Sequence, residues 1–594
     1  MTTPRTLVDV FRNLERSPKP DLLLHKKDGA WTPISTQGFA ANVRAVAGAL
    51  GTVGVPNGGA VVLLSENRPE WPTIDFACQC YGAVLVPIFP TMVADQAEYI
   101  VRDCGATVAF ASTTEQAAKL LAAQAKCPKL KHVFVFDHQG GGARPYAALL
   151  EEGRKAHEAE PGRFDERADA RRPEDLATII YTSGTTGEPK GAMLMQSNFV
   201  SNLLAGCQIL PFDGSAVTLS FLPLSHVLER LVEYCYYHRN ATIAFAESIE
   251  KLRDNLGEVN PHIFVSVPRV YEKVYARVME KVDAGSPAKQ RLFRNALAVG
   301  KEVLALRAEK KTPGGALALQ HFVYERLVFR KIREALGTRF RFAVSGGAPL
   351  SKDLAEFFWA IGVEIYEGYG LTETSPVISV NGPAAWRLGT VGRVMPGIEV
   401  RIAPDGEILT RGPHVMKGYY GKPEATAEAI DPDGWFHTGD IGVVDGDGFL
   451  RITDRKKEII VNSNGKNIAP APIESALKAD PFVGQPVVIG DRRKFLSCLI
   501  VPNFEKLRDW AQKNGLAGLS DEELVEDVRV KQIYKEIIDR WNVGRPHEQL
   551  INAFKVLPRE LSIEGGELTP TLKVKRRIVD QKYKSVIDGL YRGD

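Results

Sequence analysis

The chain has 594 residues, of which 44% are hydrophobic and 25% are charged, and its net charge is +3 at neutral pH. This composition is typical of a globular protein of several domains and excludes a disordered chain, a collagen or a coiled-coil rod. The balance of 75 Lys and Arg against 72 Asp and Glu lacks the basic excess of a dedicated nucleic-acid-binding protein, so no nucleic-acid partner is expected.

The N-terminal part of the sequence carries no apolar segment of the kind that a secretory signal needs. Residues 76–94 form an uncharged stretch of 19 residues, but two prolines and a glycine within it predict a buried strand with turns rather than a membrane-spanning helix. The seven Cys are sparse and include no CxxC pair, which excludes a zinc ribbon and fits a reducing compartment.

Short apolar runs alternate with segments of helical period through the first three quarters of the chain. Each run is followed by a turn signal, a pattern that predicts an α/β architecture with largely parallel sheets. The runs used for this prediction are 60–64, 83–87, 133–136, 178–181, 263–267 and 340–344.

Two segments depart from this alternation. Residues 139–175 are polar and rich in helix breakers, which predicts a surface connection into the next strand. Residues 275–340 predict a long, charged, helical insertion, whose cations form either a solvated face or a patch that meets anionic lipid or substrate. These cations are Arg326, Arg330, Lys331, Arg333, Arg339 and Arg341.

From about residue 396 the sequence changes to short strands and turns, and a run of charge follows at 454–458. We place a domain boundary in this run. The prediction is a large N-terminal domain, 1–454, built of parallel-sheet α/β subdomains plus a β-rich piece, and a small α+β C-terminal domain, 455–594.

The segment 181–191, YTSGTTGEPKG, follows a strand-like run and combines hydroxyls, glycines and one cation. Glycines let the backbone point N–H groups inward, hydroxyls donate to phosphate oxygens, and Lys190 supplies positive charge. This chemistry suits a triphosphate cradle. It is not a Walker A loop, because Gly191 follows Lys190 where that motif has Ser or Thr.

This segment resembles the phosphate-binding signature of the acyl-adenylate-forming enzymes, also called the AMP-binding or acyl-CoA synthetase superfamily. Further motifs in the family's order extend the resemblance over nearly the whole chain. The residues that the resemblance implies for binding the phosphates are Thr182, Ser183, Gly184, Thr185, Thr186, Gly187 and Lys190.

The resemblance also implies the adenine and metal contacts. Segment 345–349 (SGGAP) frames the adenine, and Tyr369 within 368–376 (GYGLTETSP) stacks on it. Thr372 would touch phosphate and Glu373 would hold Mg²⁺ through oxygen, with Thr185 as a second metal contact. The remaining residues implied for binding the nucleotide here are Gly346, Gly347, Ala348, Glu367, Gly368 and Gly370.

In 434–440 (GWFHTGD) the matching aspartate is Asp440, which would accept hydrogen bonds from the ribose hydroxyls. Arg455 would support the ribose or the phosphates. Lys457 matches the hinge about which the mobile C-terminal domain rotates, although the family often has Asp there. Gly465 would let the pantetheine arm of CoA pass close to the backbone.

Segment 568–577 (LTPTLKVKRR) resembles the family's loop that carries the catalytic lysine, here Lys573. A cation that reaches both the carboxylate and the α-phosphate would neutralise charge during displacement. Leu572 departs from the family, which often has Gly. Two alternatives stay open: Lys575 as the catalytic residue, and a solvated basic tail.

His226, in 221–227 (FLPLSHV), matches a family position at the edge of the acyl pocket. The family often pairs this His with an aromatic residue, but Ser225 stands in that place here. His226 is therefore interpreted either as a catalytic residue or as a structural histidine whose hydrogen bonds are satisfied.

The resemblance implies a two-step ligase that uses ATP, Mg²⁺ and CoA to convert a carboxylic acid through acyl-AMP into a thioester. Segments 223–230, 267–278 and 486–503 are most similar to long-chain fatty acyl-CoA synthetases. The expected location is cytoplasmic, with any membrane contact peripheral at the inner membrane surface. The alternatives are a fatty acyl-AMP ligase that loads a carrier protein, a non-catalytic adenylate- or lipid-binding protein, and an aryl or bile-acid-type ligase.

Overall fold

A computed structural model gives the fold of the chain. It describes residues 2–182, 188–334, 337–456, 458–463, 466–569 and 573–591. Three predicted sites lie outside the described residues: the phosphate-loop residues Ser183, Gly184, Thr185, Thr186 and Gly187, the hinge residue Lys457, and Gly465.

The strands of the described residues form two large sheets within the first 420 residues and three smaller sheets from residue 399 onwards. The strands are β1 (Leu23–Lys27), β2 (Ala30–Ile34), β3 (Ala60–Leu64), β4 (Val84–Ile88), β5 (Val108–Thr113), β6 (His132–Asp137), β7 (Arg144–Pro145), β8 (Leu176–Thr182), β9 (Lys190–Met195), β10 (Val217–Ser220), β11 (Thr242–Phe245), β12 (Ile263–Ser266), β13 (Phe342–Ser345), β14 (Ile365–Gly370), β15 (Val377–Val380), β16 (Arg393–Val394), β17 (Glu399–Ile402), β18 (Glu407–Arg411), β19 (Gly418–Tyr419), β20 (Phe436–Val444), β21 (Leu450–Arg455), β22 (Ile460–Val461), β23 (Asn467–Ile468), β24 (Val483–Ile489), β25 (Leu496–Pro502) and β26 (Ile551–Val556).

Helices cover the faces of these sheets. They are α1 (Leu7–Glu15), α2 (Thr36–Thr52), α3 (Glu70–Tyr81), α4 (Ala94–Cys104), α5 (Thr114–Lys126), α6 (Tyr146–Ala159), α7 (Pro161–Asp169), α8 (Gln196–Ile209), α9 (Val227–Arg239), α10 (Leu252–Val259), α11 (Pro268–Asp283), α12 (Pro287–Ala308), α13 (Gly315–Tyr324), α14 (Arg330–Arg333), α15 (Lys352–Ala360), α16 (Pro423–Ala429), α17 (Pro470–Leu477), α18 (Phe504–Lys513), α19 (Asp521–Glu526), α20 (Val528–Asn542), α21 (Arg576–Lys582) and α22 (Lys584–Leu590). A π-helical turn (Glu325–Phe329) joins α13 to α14, and 3₁₀ turns lie at Thr372–Thr374 and His547–Gln549.

The two large sheets have parallel centres; both edges of the first sheet and the β19-β9 edge of the second are antiparallel. The first has the order β16-β15-β14-β13-β12-β10-β11-β1-β2 and the second β19-β9-β8-β4-β3-β5-β6-β7. Strands β14, β13, β12, β10, β11 and β1 pair in parallel, as do β8, β4, β3, β5, β6 and β7. The central strands are buried throughout and mostly apolar, as expected for sheets covered on both faces. The predicted α/β class is confirmed.

The C-terminal part has a hydrophobic core of its own. One cluster of buried side chains spans Leu7 to Phe436, whereas another contains only residues from Ile460 to Ile587. The second cluster lies around the sheet β24-β25-β26. Between the two cores stands the sheet β17-β18-β20-β21, which ends at Arg455. Separate cores of this kind are what a domain boundary near residue 455 requires.

The surface connection predicted for residues 139–175 is wrong. The segment contains α6 and α7, and it buries Leu149 and Phe164 in the main core. Helix α6 crosses α2 so closely that a Cβ placed on Gly153 would lie 1.8 Å from the carbonyl oxygen of Ala45. Helix breakers and charged residues dominate the composition of this segment, which is why it was predicted to be a surface connection. Two glycines, Gly48 and Gly153, allow the two helices to cross this closely.

The stretch 76–94 also differs in part from its prediction. Residues up to Tyr81 complete the buried helix α3, Gly82 ends that helix with a left-handed backbone (φ 92°), and only then does the buried strand β4 follow. Helix α3 is buried all round, so its sequence lacks the amphipathic period that identifies most helices. The helical prediction for residues 275–340 is confirmed by α11, α12 and α13.

A buried ion pair ties α3 to α9. Arg230 donates two hydrogen bonds to Asp75, from Nη2 at 2.6 Å and from Nε at 2.9 Å, and Tyr234 donates a third at 2.6 Å. All three side chains are almost inaccessible to solvent. Bidentate pairing of this kind compensates for the removal of both charges from water. It fixes the position of α9, whose opposite face lines the cavity described below.

The contact between α2 and α6 generates a prediction about stability. In Gly153→Ala the added methyl group must displace the α2 backbone, so we expect the free energy of unfolding to fall by about 3 kcal/mol. Gly162→Ala in α7 is the matched control, because no atom lies within 4 Å of its added methyl group. Urea denaturation followed by tryptophan fluorescence measures both variants. An unchanged midpoint in Gly153→Ala would contradict the close helix crossing.

Candidate active site

A cavity of about 2240 Å³ opens between the large N-terminal part of the chain and the C-terminal part. Ends of strands β8, β9, β13, β14, β20 and β21 contribute to its walls. Every predicted site residue within the described part of the chain lines it. These residues are Thr182, Lys190, His226, Gly346, Gly347, Ala348, Glu367, Gly368, Tyr369, Gly370, Thr372, Glu373, Asp440, Arg455 and Lys573.

Asp440 is a buried carboxylate of the cavity that is held by two side chains. Its side chain is 5% exposed, accepts a hydrogen bond from Tyr369 Oη at 2.7 Å and pairs with Arg455 Nε at 3.1 Å. The antiparallel register of β20 and β21 places Asp440 directly opposite Arg455. Burial raises the pKa of Asp440, while Arg455 and the Tyr369 hydroxyl act in the opposite direction.

The loop after β13 and the strand β14 form another wall. Glu367 is buried and accepts a hydrogen bond from the backbone N–H of Leu350 at 3.1 Å. Burial raises the pKa of Glu367 to about 7, so this carboxyl is only partly ionised at neutral pH. Gly347 adopts a left-handed backbone (φ 78°), which turns the chain back along the cavity wall. A flat, weakly charged slot of this kind suits a heteroaromatic ring.

Glu373 and Lys190 lie at the predicted phosphate end. Glu373 accepts a hydrogen bond from Tyr419 Oη at 2.9 Å, and the Lys190 ammonium lies 5.0 Å from the centre of the same tyrosine ring. Tyr419 thus connects the cation to the carboxylate, because β19 pairs with β9. Tyr419 was not among the predicted site residues, because it lies in no recognisable sequence motif.

Lys573 comes from the C-terminal part of the chain and is exposed on the cavity wall. Two backbone contacts with Thr569 hold it: Thr569 N–H donates to Lys573 O at 2.8 Å, and Lys573 N–H donates to Thr569 Oγ1 at 3.0 Å. Partial desolvation inside the cavity and the charge of Arg455 lower the pKa of Lys573, whereas Asp440, Glu458 and Glu373 raise it. Its ammonium group therefore stands near Asp440 and Glu373 of the N-terminal part and near the charged groups at 455–458.

Arg576 anchors the segment that carries Lys573. Its guanidinium donates to Glu474 at 2.6 Å and to the carbonyl oxygen of Val488 at 3.0 Å, and it lies 3.6 Å from Glu458. Lys575 lines the cavity as well. The electrostatic neighbours of Lys573 are the residues predicted to bind ribose and metal, which favours Lys573 over Lys575 as the catalytic cation.

His226 stands at the N-terminus of α9. Its Nδ1 accepts a hydrogen bond from the backbone N–H of Leu228 at 3.2 Å, which leaves Nε2 to carry the proton. Burial, together with the charge of Lys573, lowers the pKa of His226 to about 4, so the ring is neutral at neutral pH. Phe89 packs edge-on against it at 6.3 Å. Phe89 supplies the aromatic partner that Ser225 cannot, and it lies too far away in sequence for a motif to reveal it.

Beyond His226 the cavity becomes apolar. One face of α9 lines it, and the facing surfaces come from α8, β12 and β13. The side chains on this wall include Leu228, Leu231, Val232, Tyr236, Phe212, Ile263, Val265 and Val344. A charged, hydrogen-bonding end and an apolar end in one cavity suit a substrate with a polar head and a hydrocarbon tail.

This geometry defines an enzyme that brings a nucleotide together with an amphiphilic acid between two domains. The family model of the "AMP-binding enzyme" matches residues 11–420, and the model of the "AMP-binding enzyme C-terminal domain" matches residues 457–594. The chain therefore belongs to the AMP-binding enzyme family.

Curated relatives match almost end to end. The chain is 40% identical over 577 residues to "Long-chain-fatty-acid--CoA ligase FadD15" of Mycobacterium tuberculosis, covering 96% of this chain and 95% of the relative. It is 34% identical to "Long chain acyl-CoA synthetase 6, peroxisomal" of Arabidopsis thaliana, covering 94% and 81%. It is 35% identical to "Long-chain-fatty-acid--CoA ligase 1" of Cavia porcellus, covering 89% and 78%.

Solved structures share the fold. The anthranilate CoA ligase AuaEII in complex with anthranoyl-AMP has a TM-score of 0.74 at 19% identity and covers 99% of both chains. ATP-bound MatB from Rhodopseudomonas palustris has a TM-score of 0.70 at 22% identity, covering 98% of this chain and 99% of MatB. Within the described ranges, no helix combines the length and the apolar character that a membrane span requires.

The contacts of Asp440 generate a prediction about nucleotide affinity. Asp440→Asn keeps the shape of the side chain but removes the charge that is predicted to accept hydrogen bonds from the ribose hydroxyls, so AMP should bind roughly 10- to 100-fold more weakly. Calorimetric titration with AMP measures this. Asp445→Asn is the matched control, because Asp445 lies further along β20–β21, pairs with Arg387 and does not line the cavity. Equal affinity in Asp440→Asn and wild type would remove Asp440 from the ribose site.

Proposed function

We propose that this chain is an ATP-dependent long-chain fatty acid–CoA ligase, which forms acyl-AMP and then acyl-CoA with release of pyrophosphate and AMP. The observation that carries the proposal is the single cavity in which Asp440 and Lys573 stand at one end and the apolar face of α9 at the other. The relatives are named as long-chain acyl-CoA ligases or synthetases, and their names support the same substrate class.

In the first half-reaction the residues bind and orient two anions. Asp440 accepts from the ribose, Lys190 attracts the phosphates, and the slot beside Glu367 takes the adenine. Lys573 reduces the repulsion between the fatty carboxylate and the α-phosphate, which the carboxylate oxygen attacks as pyrophosphate leaves. The cation has most effect where charge builds up in the transition state, because the surrounding protein limits screening by water.

Glu373 is the residue that we propose to hold Mg²⁺, together with Thr185. Among the described residues no group of three or more His, Cys, Asp or Glu could bind a metal, so a metal held by protein alone has no support there. One carboxylate beside a phosphate site fits the usual Mg²⁺ arrangement, in which substrate phosphates and water complete the shell. When bound, the ion would offset the charge of the leaving phosphates.

In the second half-reaction the thiol of CoA attacks the mixed anhydride and AMP leaves. We propose that the C-terminal domain, 455–594, rotates about Lys457 between the two steps, and that the pantetheine arm passes Gly465. The separate C-terminal core supports movement as a unit, and exposed ion pairs such as Lys506–Glu280 at 3.2 Å are weak enough to break. Rotation would withdraw Lys573 once adenylation is complete.

The neutral ring of His226 suits the entrance to the acyl end. We propose that it orients the substrate carboxylate by donating from Nε2, since Nδ1 is already engaged by Leu228. Thr372, at the 3₁₀ turn beside Glu373, lines the same region and can donate its hydroxyl to a phosphate or carboxylate oxygen.

Product analysis by mass spectrometry tests the proposed function. The purified protein receives MgATP, CoA and an equimolar mixture of C4 to C20 fatty acids, and we expect AMP together with acyl-CoA of the longer acids. Omission of CoA is the control, which should leave acyl-AMP. Acyl-AMP without thioester in the full mixture would indicate a ligase that loads a carrier protein. The absence of both products would contradict the proposal.

A further inference from the structure

The helical insertion leaves an apolar stripe exposed. Four large hydrophobic side chains lie within nine consecutive residues on α13 and the π turn: Leu319 (66% exposed), Phe322 (53%), Val323 (42%) and Leu327 (51%). Their spacing of three and four residues places them on one side of the helix. Clusters of this kind are uncommon on surfaces that face only water, and they mark contact sites. We call these four residues the 319–327 stripe.

The other side of the same helix is anchored, so the stripe is held in place. Val328 and Phe329 are buried against the body of the protein. Arg333 pairs with Glu325 and donates to the carbonyl oxygen of Ile361 at 2.6 Å. The π turn inserts extra backbone into the helix, which lets Leu327 continue the exposed face while the next two residues point inward. The exposure of the stripe therefore belongs to an ordered surface helix.

Charge is distributed unevenly between this region and the rest of the protein. Residues 275–340 contain 14 Lys and Arg but only six Asp and Glu, a net charge of +8. The whole chain carries +3, so the remaining residues together carry −5. The insertion is thus a strongly basic surface on an otherwise acidic protein, and it would orient the molecule towards a negatively charged plane.

Cations lie within the stripe itself. The Arg326 guanidinium stacks over the Phe322 ring at 4.6 Å from its centre, and Arg330 follows one turn later. Lys331 is exposed and forms no ion pair with any residue that the structure describes. Apolar side chains flanked by Arg and Lys match a bilayer interface, where the hydrocarbon parts enter the headgroup boundary and the cations meet lipid phosphates.

We propose that the 319–327 stripe and its flanking cations dock the protein onto the surface of a bilayer that contains anionic phospholipid. The contact is peripheral and depends on both apolar burial and charge. Only the purpose of the docking rests on the proposed function: it would hold the enzyme at the membrane surface from which it takes fatty acids. The binding itself requires no turnover.

Vesicle co-sedimentation of the full chain tests the docking. Vesicles of phosphatidylcholine with 30% phosphatidylglycerol are compared with pure phosphatidylcholine at low and at raised NaCl concentration. We expect binding to the anionic vesicles that weakens with salt, since screening shortens the reach of the cations. Absence of binding, or equal salt-insensitive binding to both vesicle types, would overturn the proposal.

Two triple variants separate the apolar and charged parts. Leu319→Gln/Phe322→Gln/Leu327→Gln should weaken vesicle binding at least fivefold, while Leu519→Gln/Val528→Gln/Val543→Gln, three exposed apolar side chains of the C-terminal part, should not. Arg326→Gln/Arg330→Gln/Lys331→Gln should weaken it by about 100-fold, at about fivefold per charge. Arg529→Gln/Lys531→Gln/Lys535→Gln on α20 makes the same change in net charge and should have little effect.

The remaining readouts keep this proposal distinct from the proposed function. Ligase activity on octanoate without vesicles should be unchanged in the stripe variants, because that acid is soluble and the stripe does not line the cavity. If the wild-type protein binds vesicles but shows no ligase activity, the proposed function is overturned and the docking proposal still stands. Light scattering reports oligomers: a wild-type dimer that the stripe variant dissociates, without vesicle binding, would assign the stripe to self-association and overturn the docking.

Discussion

The cavity contains a cation, Lys573, that comes from the C-terminal part of the chain, whereas most other charged groups of the proposed nucleotide site come from the N-terminal part. Lys573 stands in a segment with its own hydrophobic support, yet its electrostatic neighbours Asp440, Glu373 and Arg455 belong to the N-terminal part or to its last strand. In the proposed first half-reaction two anionic reactants repel each other, and we propose that Lys573 lowers that repulsion. In this proposal the electrostatics of the first half-reaction depend on the position of the C-terminal domain.

The N-terminal part provides a rigid frame for the cavity. Helix α9 illustrates how: Leu228, Leu231 and Val232 face the cavity, while Arg230 and Tyr234 on the opposite side lock onto Asp75 in the core. Buried Glu229, whose pKa rises to about 8 because it is removed from water, lies on that inner side and stays largely uncharged. The apolar wall is thus positioned by polar contacts that never meet the substrate. The same helix begins at His226, so the acyl end and the reacting end share one rigid element.

The sequence was sufficient for features whose placement depends on local patterns. Apolar runs predicted the central strands, and the motifs around Tyr369, Asp440 and Lys573 converge on one cavity, as the resemblance implied. Tyr419 and Phe89 could not be predicted, because each contributes through a partner far away in the chain, Glu373 and His226 respectively. Helix α6 was missed for the opposite reason: its composition resembles a loop, and only the close crossing at Gly153 shows that tertiary packing overrides it. The roles in chemistry, the hinge at Lys457 and the domain boundary remain predictions.

The most direct test of the account separates the two half-reactions in Lys573→Ala. Rapid quenching with labelled ATP and fatty acid measures acyl-AMP formation, and supplied acyl-AMP with CoA measures thioester formation. The account predicts that acyl-AMP formation falls by about 100-fold or more, while thioester formation stays within about fivefold of wild type. Lys575→Ala, two residues away on the same cavity wall, should affect adenylation far less. Equal loss in both half-reactions of Lys573→Ala, or the larger adenylation defect in Lys575→Ala, would contradict the account.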